Sequence, residues 1–391
     1  MLGLSDIASR IVQSNIRTMS VECDKVGGVN LAQGVCDTEV PQVVRQAAEE
    51  AIEAGFNQYT RLDGIAPLRH AIARKLQRQN AIGADPESEI VVTSGATGGF
   101  DSACRALLNR GDEVVLFEPY YGYHYAALVG VHCTPVLVSL DPPDYPLVID
   151  RLSDAITSKT RGIVINTPAN PSGKVFSRAE MEQITTIAKH YDLFVFTDEI
   201  YEHFVYGGER HISPGSLPGV GDRTITISGF SKVFAITGWR IGFLHASARW
   251  IPAISYFHDL TYVCAPSAFQ HGVAAGLDQL SDGFYTGLAA EYHRKREMIC
   301  DALRAVGLEP SVPAGAYYVL ADASAVPGAD SVQKALNLLQ LTGVASVPGE
   351  AFFQGGRGEH LLRFCFAKTD HDLENACERL STLRKAATVS R

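Results

Sequence analysis

One lysine stands in a setting that could do covalent chemistry. Lys232 ends a Ser/Gly-rich loop, residues 228–232 (Ser-Gly-Phe-Ser-Lys), that follows a predicted β-strand. Open α/β sheets bind ligands at this position, and a lysine shielded from water there has a lowered pKa and can form a Schiff base. Eight residues later, Arg240 could place its guanidinium on a phosphate. Taken alone, Lys232 would be interpreted as a solvated loop lysine. The neighbouring motifs decide whether it is a reactive one.

A second motif, residues 198–201 (Asp-Glu-Ile-Tyr), follows the apolar run at 193–197. A carboxylate at the end of a strand can keep a pyridine nitrogen protonated, which makes the ring an electron sink. Tyr201 could donate a hydrogen bond to a phenolate oxygen of the same ring. Asp198 could equally be an ordinary helix N-cap, so this motif alone leaves both interpretations open.

Two turns could complete such a site. Residues 166–173 (Asn-Thr-Pro-Ala-Asn-Pro-Ser-Gly) follow a predicted strand, and the side chain of Asn170 could reach a ring oxygen or a carboxylate. A purely structural turn is the alternative there. Residues 94–97 (Ser-Gly-Ala-Thr) open a helix, and its free backbone N–H groups with the Thr97 hydroxyl predict an anion site.

The elements that must position these motifs alternate between strand and helix from about residue 90 to 245. Short β-branched runs predict strands at 90–93, 113–117, 161–166, 193–197, 224–228 and 240–245. Helical spacing separates them, for example at 178–190. This alternation predicts a largely parallel sheet with helices on both faces.

The pattern changes after residue 280. A long charged helix is predicted at 285–305, and a last helix at about 369–386. Three further runs, at 316–320, 343–347 and 361–366, predict strands of a smaller α+β unit. We therefore predict an N-terminal arm with part of the small domain at 1–40, a large domain at 41–284 and a C-terminal small domain at 285–391.

Composition favours a small-molecule enzyme over other classes. The 391 residues are 46% hydrophobic and 20% charged, and the net charge of −9 is spread along the chain, which argues against nucleic acid as a partner. We find no apolar run long enough for a membrane span and no signal peptide. The eight cysteines include no Cys-x-x-Cys pair, so we expect no metal site and a reducing, cytoplasmic location.

In chain order, the four motifs resemble those of the fold-type I pyridoxal-phosphate (PLP) aminotransferases, the class I/II enzymes of the aspartate aminotransferase superfamily. The motifs at 94–97, 166–173, 198–201 and 231–240 are highly specific in combination, and the resemblance covers nearly the whole chain. It implies an α/β fold of PLP-transferase type I, with a mostly parallel sheet and a smaller α+β domain. It also implies PLP as cofactor and ping-pong transfer of an amino group between an α-amino acid and a 2-oxo acid.

The resemblance implies a role for each motif. Lys232 would hold the cofactor and move the Cα proton, Asp198 would pair with the pyridine nitrogen, and Tyr201 with Asn170 would bind the ring oxygen O3′. Tyr121 matches the aromatic residue that stacks on the ring. The predicted phosphate ligands are Ala96, Thr97, Arg240 and either Ser231 or Ser228.

The same resemblance covers the substrate and the partner subunit. Arg363, in the predicted strand 361–366, matches the arginine that grips the α-carboxylate, and Asn170 and the Gly34 backbone would approach the same group. Tyr59 matches the tyrosine that reaches the phosphate of the neighbouring subunit. We therefore expect a homodimer with shared active sites.

The side-chain pocket departs from the family pattern. Where the family has Pro-Asp-Phe, this chain has Cys-Asp-Thr at 36–38, in the arm that caps the pocket. No basic residue lies between Ser94 and Asp101, where dicarboxylate-specific members often carry one. Tyrosines at 120, 121 and 123 with His124 crowd the predicted site, and Tyr317 and Tyr318 could lie near it. We expect aromatic or other bulky neutral donors.

Three alternatives stay open at this stage. The scaffold also supports other PLP reactions, such as β-elimination, ring closure or a cyclopropane-forming step of the kind ACC synthase performs, and the motifs separate these poorly. An aspartate-type transaminase is the second. A non-catalytic PLP-binding regulator is the third, but such proteins carry an N-terminal helix-turn-helix, whereas this chain starts with the arm.

Overall fold

The computed structural model describes residues 3–8 and 15–383. Within them, the α-helices are α1 (Asn15–Lys25), α2 (Gln42–Glu53), α3 (Ala66–Lys75), α4 (Gly95–Leu107), α5 (Gly122–Gly130), α6 (Ile149–Asp154), α7 (Arg178–His190), α8 (Ile251–Tyr262), α9 (Ser267–Gln279), α10 (Asp282–Ala305), α11 (Ser331–Thr342) and α12 (Asp370–Leu380). The β-strands are β1 (Val29–Asn30), β2 (Ile90–Ser94), β3 (Glu113–Glu118), β4 (Thr134–Ser139), β5 (Thr160–Asn166), β6 (Phe194–Asp198), β7 (Thr224–Gly229), β8 (Ile241–His245), β9 (Glu309–Ser311), β10 (Tyr318–Asp322), β11 (Val344–Ala345), β12 (Val347–Pro348) and β13 (Leu361–Cys365).

The large sheet has seven strands in the order β2-β8-β7-β6-β5-β3-β4. All neighbours pair in parallel except β8, which is antiparallel to both β7 and β2. The prediction of a mostly parallel sheet is therefore confirmed. Because β2 and β7 both oppose β8, they run in the same direction as each other.

Helices cover both faces of this sheet, as the packing of the two sides of β2 shows. Val91 packs in one apolar cluster with residues of α4 and α8, such as Phe100 and Ile254. Its neighbour Val92 points the other way, into a second cluster that includes Ile72 of α3 and Val273 of α9. Successive side chains of a strand face opposite sides, so each face needs its own apolar cover.

A smaller antiparallel sheet has the order β12-β13-β10-β9. The arm joins this part of the molecule, because β1 pairs in parallel with β11. The domain boundaries at residues 40 and 284 stay a prediction.

The predicted strands of the large sheet agree with the structure, but the prediction omits β1, β4 and β9. β4 was not predicted, because it is partly exposed along most of its length and contains Pro135. β9 is likewise missing from the prediction, because it is short and contains Pro310. The predicted strand at 343–347 is two short strands, β11 and β12, which pair in different sheets. The predicted last helix extends to 386, of which 384–386 lie outside the described residues.

Candidate active site

A cavity of about 590 Å³ lies where several strands of the large sheet end. Among the residues that line it are these members of the predicted site: Gly34, Ala96, Thr97, Tyr121, Asn170, Asp198, Tyr201, Ser231, Lys232, Arg240 and Arg363.

The direction of the strands explains why these residues meet. The parallel strands β5, β6 and β7 end at the same edge, which brings the loops after them together. β2 runs in the same direction and delivers the first turn of α4. β8 runs the opposite way, so Arg240, directly before its first residue, lies at that edge too.

Lys232 is held at the floor of the cavity by a backbone contact. Its Nζ donates a hydrogen bond to the carbonyl oxygen of Gly34 at 3.1 Å. Burial lowers the pKa of Lys232, and the nearby thiols of Cys36 and Cys365 oppose that shift without cancelling it. A lowered pKa enriches the neutral amine, which is the form that reacts with a carbonyl carbon.

Asp198 is buried and is held by two partners. One carboxylate oxygen accepts the backbone N–H of Ile200 at 3.1 Å, and the other lies 2.9 Å from Nε2 of His124. His124 is fixed in turn by the rings of Phe100 and Tyr121, at 4.6 and 5.2 Å between centroids. The carboxylate therefore makes a cap-like turn contact and still lines the cavity, so the two interpretations from the sequence are compatible.

Tyr201 and Tyr318 form a pair of buried hydroxyls on one wall. Their oxygens lie 3.0 Å apart. Burial is the main reason that the pKa of Tyr201 is raised well above its usual value, so the hydroxyl stays protonated and able to donate. Gly34 lies against this pair, because a Cβ at residue 34 would lie 2.0 Å from the Tyr318 oxygen. Only glycine fits this part of the arm.

The predicted phosphate cradle is formed by the start of α4 and by Arg240. Gly95 has a φ of +69°, and a Cβ there would lie 2.4 Å from Nη2 of Arg240. Nη1 of Arg240 is tied to the carbonyl oxygen of Thr237 at 2.9 Å. The close approach of Gly95 thus lets a guanidinium lie beside the helix N-terminus, where two kinds of anion-binding group combine.

Arg363 is the most enclosed cation of the site, at 1% exposure. Nη1 donates to Oδ1 of Asn170 at 2.9 Å and Nη2 donates to the carbonyl oxygen of Ala32 at 2.6 Å. Its planar group lies over the rings of Tyr318 and Phe352, at 4.3 and 4.9 Å from their centroids. Nε is buried without a hydrogen-bond partner among the described residues, so the guanidinium has unused donor capacity.

Several residues considered from the sequence do not line the cavity, including Tyr120 and Tyr317. Tyr59 is 81% exposed on the surface of this chain. The Ser228 hydroxyl donates instead to the carbonyl oxygen of Glu199 and a carboxylate oxygen of Glu202, which leaves Ser231 as the serine of the cradle. Asp37 is engaged by Lys368, with 2.7 Å between Nζ and Oδ2.

Two residues were missed. His124 was counted only among the aromatic residues near the site, and its contact with Asp198 depends on the turn between β3 and α5. Arg17, on α1, lines the cavity although it lies more than 200 residues from Lys232 in the chain. Arg17 lies outside all of the sequence motifs, so nothing in the sequence pointed to it.

A second buried polar cluster lies outside the cavity. Ligand-type atoms of Glu199, Glu202 and His211 lie within 4.8 Å of one another. Lys75 forms a buried ion pair with Glu202, and Asn80 donates to both carboxylates. Burial alone would raise the pKa of Glu202, but the charges of Lys75 and the two nearby histidines outweigh it and lower that pKa. The cluster is thus a buried network of hydrogen bonds and one ion pair outside the cavity.

The donor set of the cavity fits PLP. The cofactor has a phosphate, a ring nitrogen, a ring oxygen and an aldehyde, and the cavity offers an anion cradle, a carboxylate, a protonated hydroxyl and an amine of lowered pKa. The unused donor on Arg363 matches a substrate carboxylate in the same space.

Comparison with known proteins shows the family of this chain. The family model described as aminotransferase class I and II matches residues 26–380. A probable N-succinyldiaminopimelate aminotransferase of Mycobacterium tuberculosis is 36% identical over 376 residues, 93% of this chain and 94% of that protein. An aromatic-amino-acid aminotransferase of Thermococcus litoralis is 32% identical, covering 98% of this chain and 99% of that protein.

The fold agrees as well. The solved structure of N-succinyldiaminopimelate aminotransferase from Mycobacterium tuberculosis superimposes with a TM-score of 0.94 at 35% identity, covering 97% of this chain and all of that one. The fold and site thus define a fold-type I PLP enzyme. The chain belongs to the class I and II aminotransferases, a family of transferases that use pyridoxal 5′-phosphate and act on amino acids and 2-oxo acids. Within the described residues, the helices are too short or too polar to cross a membrane.

Proposed function

We propose that the enzyme moves the amino group of an aromatic or other bulky neutral amino acid to a 2-oxo acid in two alternating half-reactions. The observation that carries this proposal is that Arg363 and Lys232 line one cavity whose walls include the rings of Phe100, Tyr121 and Tyr123. A carboxylate anchor, a reactive amine and apolar rings together suit an α-amino acid with a large neutral side chain.

Each polar residue has a defined task in this reaction. The bound cofactor supplies an electron-withdrawing ring conjugated to the substrate Cα. Lys232 would hold the cofactor, and its neutral amine would take the proton from the substrate Cα. Asp198, oriented by His124, keeps the ring nitrogen protonated. Tyr201 donates to the ring oxygen, and its raised pKa keeps that proton in place.

The phosphate and the substrate carboxylate are bound at separate places. The N–H groups of Ala96 and Thr97, with Ser231 and Arg240, bind the phosphate. Arg363 and Asn170 bind the α-carboxylate, which orients the Cα–H bond toward Lys232. Gly34 lies in the arm beside this space, and its carbonyl oxygen accepts a hydrogen bond from Nζ of Lys232.

The side-chain pocket supports the neutral preference. Tyr121 and Tyr123 stack with 5.3 Å between ring centroids, and Ile200 contributes a further apolar surface. The relative named an aromatic-amino-acid aminotransferase covers nearly the whole chain, which is consistent with aromatic donors. Aromatic substrates gain from stacked rings in addition to the area they bury.

The surface supports a homodimer. Phe56, Tyr59 and Leu62 are large apolar residues exposed on one loop. Tyr256 and Leu260 of α8 are exposed in the same way. Apolar surface of this kind is typical of a contact between subunits, and a twofold dimer would bring Tyr59 of each chain to the phosphate of its partner. A cytoplasmic location also stays our prediction, based on cysteine spacing.

Single-turnover spectra of the purified holoenzyme test this function. Phenylalanine, tyrosine, kynurenine, methionine, glutamine and aspartate are each mixed with enzyme without a 2-oxo acid, and the cofactor absorbance is followed. We expect stoichiometric conversion that 2-oxoglutarate or pyruvate reverses, fastest with the neutral donors. Continuous release of ammonia without any 2-oxo acid would instead establish an elimination reaction, and aspartate as the best donor would overturn the neutral pocket.

A further inference from the structure

The first turn of α4 begins with a serine that does not cap it. Ser94 is the N-cap residue, a position at which serine commonly accepts the N–H of the second or third helical residue. Within the described part of the chain, its side chain makes no such bond. The N–H groups of Ala96 and Thr97, the second and third residues of α4, are therefore left for another acceptor. These are the N–H groups that the proposed function assigns to the phosphate.

A histidine from another helix holds the start of α4 instead. Nε2 of His258, on α8, accepts the backbone N–H of Ser94 at 2.9 Å. His258 is fully buried, and burial lowers its pKa to about 4, so the ring is neutral and able to accept at neutral pH. A neutral ring that accepts through Nε2 carries its proton on Nδ1, and Nδ1 is buried without a hydrogen-bond partner among the described residues. The bond to Ser94 is thus the one polar contact of this ring within that part of the protein.

A second contact keeps α8 against the same turn. The ring of Tyr262, one turn after His258 on α8, lies 5.0 Å from the His258 ring between centroids. A Cβ at Gly98 would lie 3.2 Å from Cε2 of Tyr262, so this ring packs directly on the first turn of α4. The hydrogen bond fixes the peptide plane that precedes Ser94, and the ring contact fixes the spacing of the two helices. The directions of the next N–H groups follow from helix geometry.

We propose that His258 is a positioning residue for the cofactor phosphate, because its hold on the Ser94 N–H aims the N–H groups of Ala96 and Thr97 at that phosphate. His258 is not among the described residues that line the cavity, so it acts through α4. Hydrogen bonds weaken steeply when the donor points away from the acceptor, so a small rotation of this turn reduces phosphate affinity. The inference goes beyond the proposed function, since it does not depend on which amino donor the enzyme uses.

The pair PLP and pyridoxal tests this role, because pyridoxal lacks only the phosphate. The full-length enzyme, freed of cofactor, is titrated with each compound, and binding is followed by the absorbance of the bound ring. The ratio of the pyridoxal Kd to the PLP Kd measures the contribution of the phosphate. In His258→Leu this ratio should fall about tenfold, which corresponds to about 1.4 kcal/mol, while the affinity for pyridoxal stays nearly unchanged. His258→Gln should keep most of the ratio, because its amide can accept the same hydrogen bond.

His245→Leu is the matched control. His245 is also a buried histidine whose Nδ1 has no hydrogen-bond partner among the described residues. It is the last residue of β8, whereas Arg240 and the cavity lie at the other end of that strand. Its variant should keep the wild-type ratio of dissociation constants, whatever stability it loses. An unchanged ratio in His258→Leu, or an equal fall in His245→Leu, would overturn the inference.

Two amide variants decide the question if His258→Leu does not fold. Glutamine can place its amide where Nε2 of the histidine lies, whereas asparagine is one methylene shorter and places it nearer the position of Nδ1. The ratio should therefore fall in His258→Asn and be kept in His258→Gln, and equal ratios in these two variants would contradict the inference. If wild type bound PLP no more tightly than pyridoxal, the phosphate cradle itself would be wrong, and the inference with it. The donor preference under the proposed function would not be affected.

Discussion

Oδ1 of Asn170, in the turn after β5, accepts a hydrogen bond from Nη1 of Arg363, on β13, at 2.9 Å. The two residues are 193 positions apart in the chain; Asn170 follows a strand of the large sheet, and Arg363 lies on a strand of the small sheet. This contact sets the angle of the guanidinium over the cavity, while the rings of Tyr318 and Phe352 fix its plane. The geometry of the carboxylate site is therefore shared between the large and the small sheet.

The first prediction concerns this fork. Arg363→Lys keeps the charge but loses the two parallel donors, so kcat/KM should fall about tenfold or more for every donor, or about 1.4 kcal/mol in transition-state binding. Steady-state kinetics with two donors of different side chain measure the effect. Arg294→Lys, at an exposed ion pair with Asp370, is the control. An effect confined to one amino donor would show that Arg363 contacts the substrate side chain and not the α-carboxylate.

The second prediction concerns Asp198. In Asp198→Asn, an amide oxygen can still accept the Ile200 N–H, so the turn should be kept, but the ring nitrogen loses its anionic partner. Removal of the Cα proton should slow by about two orders of magnitude, because the electron sink is weakened. Stopped-flow absorbance with Cα-deuterated donor identifies that step. Normal rates in the variant would mean that Asp198 only caps the turn, and Asp141→Asn controls for surface charge.

The third prediction concerns Tyr59. If each phosphate site borrows this residue from the partner, mixed Tyr59→Ala and Lys232→Ala subunits should regain activity, because each hybrid has one intact site. Random exchange between inactive homodimers should restore about a quarter of wild-type turnover. The same mixture with a Tyr59→Ala/Lys232→Ala double variant in place of Lys232→Ala should stay inactive. Full activity in a sedimenting monomer would refute the shared site.

The fourth prediction concerns pH. His258 is fully buried, its Nε2 accepts the N–H of Ser94 at 2.9 Å, and burial lowers its pKa from 6.5 to about 4. Between these values the unfolded chain binds a proton that the folded chain does not, so the free energy of unfolding falls as the pH drops from 6.5 toward 4. At pH 5 this one group should cost about 2 kcal/mol.

The variant His258→Gln tests this, because its amide can accept the same hydrogen bond but does not titrate. Thermal unfolding is compared between pH 7.5 and pH 5 for wild type, His258→Gln and the exposed control His371→Gln. The variant should lose less stability than wild type over this range, and the control should match wild type. Equal losses in all three proteins would exclude His258 as the titrating group.

Much of the large sheet could be predicted from sequence, because its inner strands are buried on both faces and read as continuous apolar runs. β6 is buried along its whole length, and β4 is not. The strand ends carry the motifs, so the positions of Asp198 and Lys232 followed once the strands were known.

The remaining features depend on contacts between distant parts of the chain. Arg17 lies on a helix of weak periodicity, and its place at the cavity is set by packing of α1 against the small sheet. Ser228 and Ser231 lie in the same motif, so the sequence could not decide which of them faces the cavity. The structure shows that the Ser228 hydroxyl is bound to Glu202 instead. The predicted role of Tyr59 at the phosphate of a partner requires a second subunit, so a single chain cannot test it.

The pairing of β1 with β11 has a consequence for the order of folding. The arm is held by backbone hydrogen bonds that join Leu31 to Ala345 and to Cys365 and Asp37 to Ala367. Each of these contacts closes a loop of more than 300 residues, and contacts of such separation form late. During synthesis, Gly34 therefore cannot reach its place until the last strand has left the ribosome. The pocket for the substrate is finished only after the arm has joined β11 and β13.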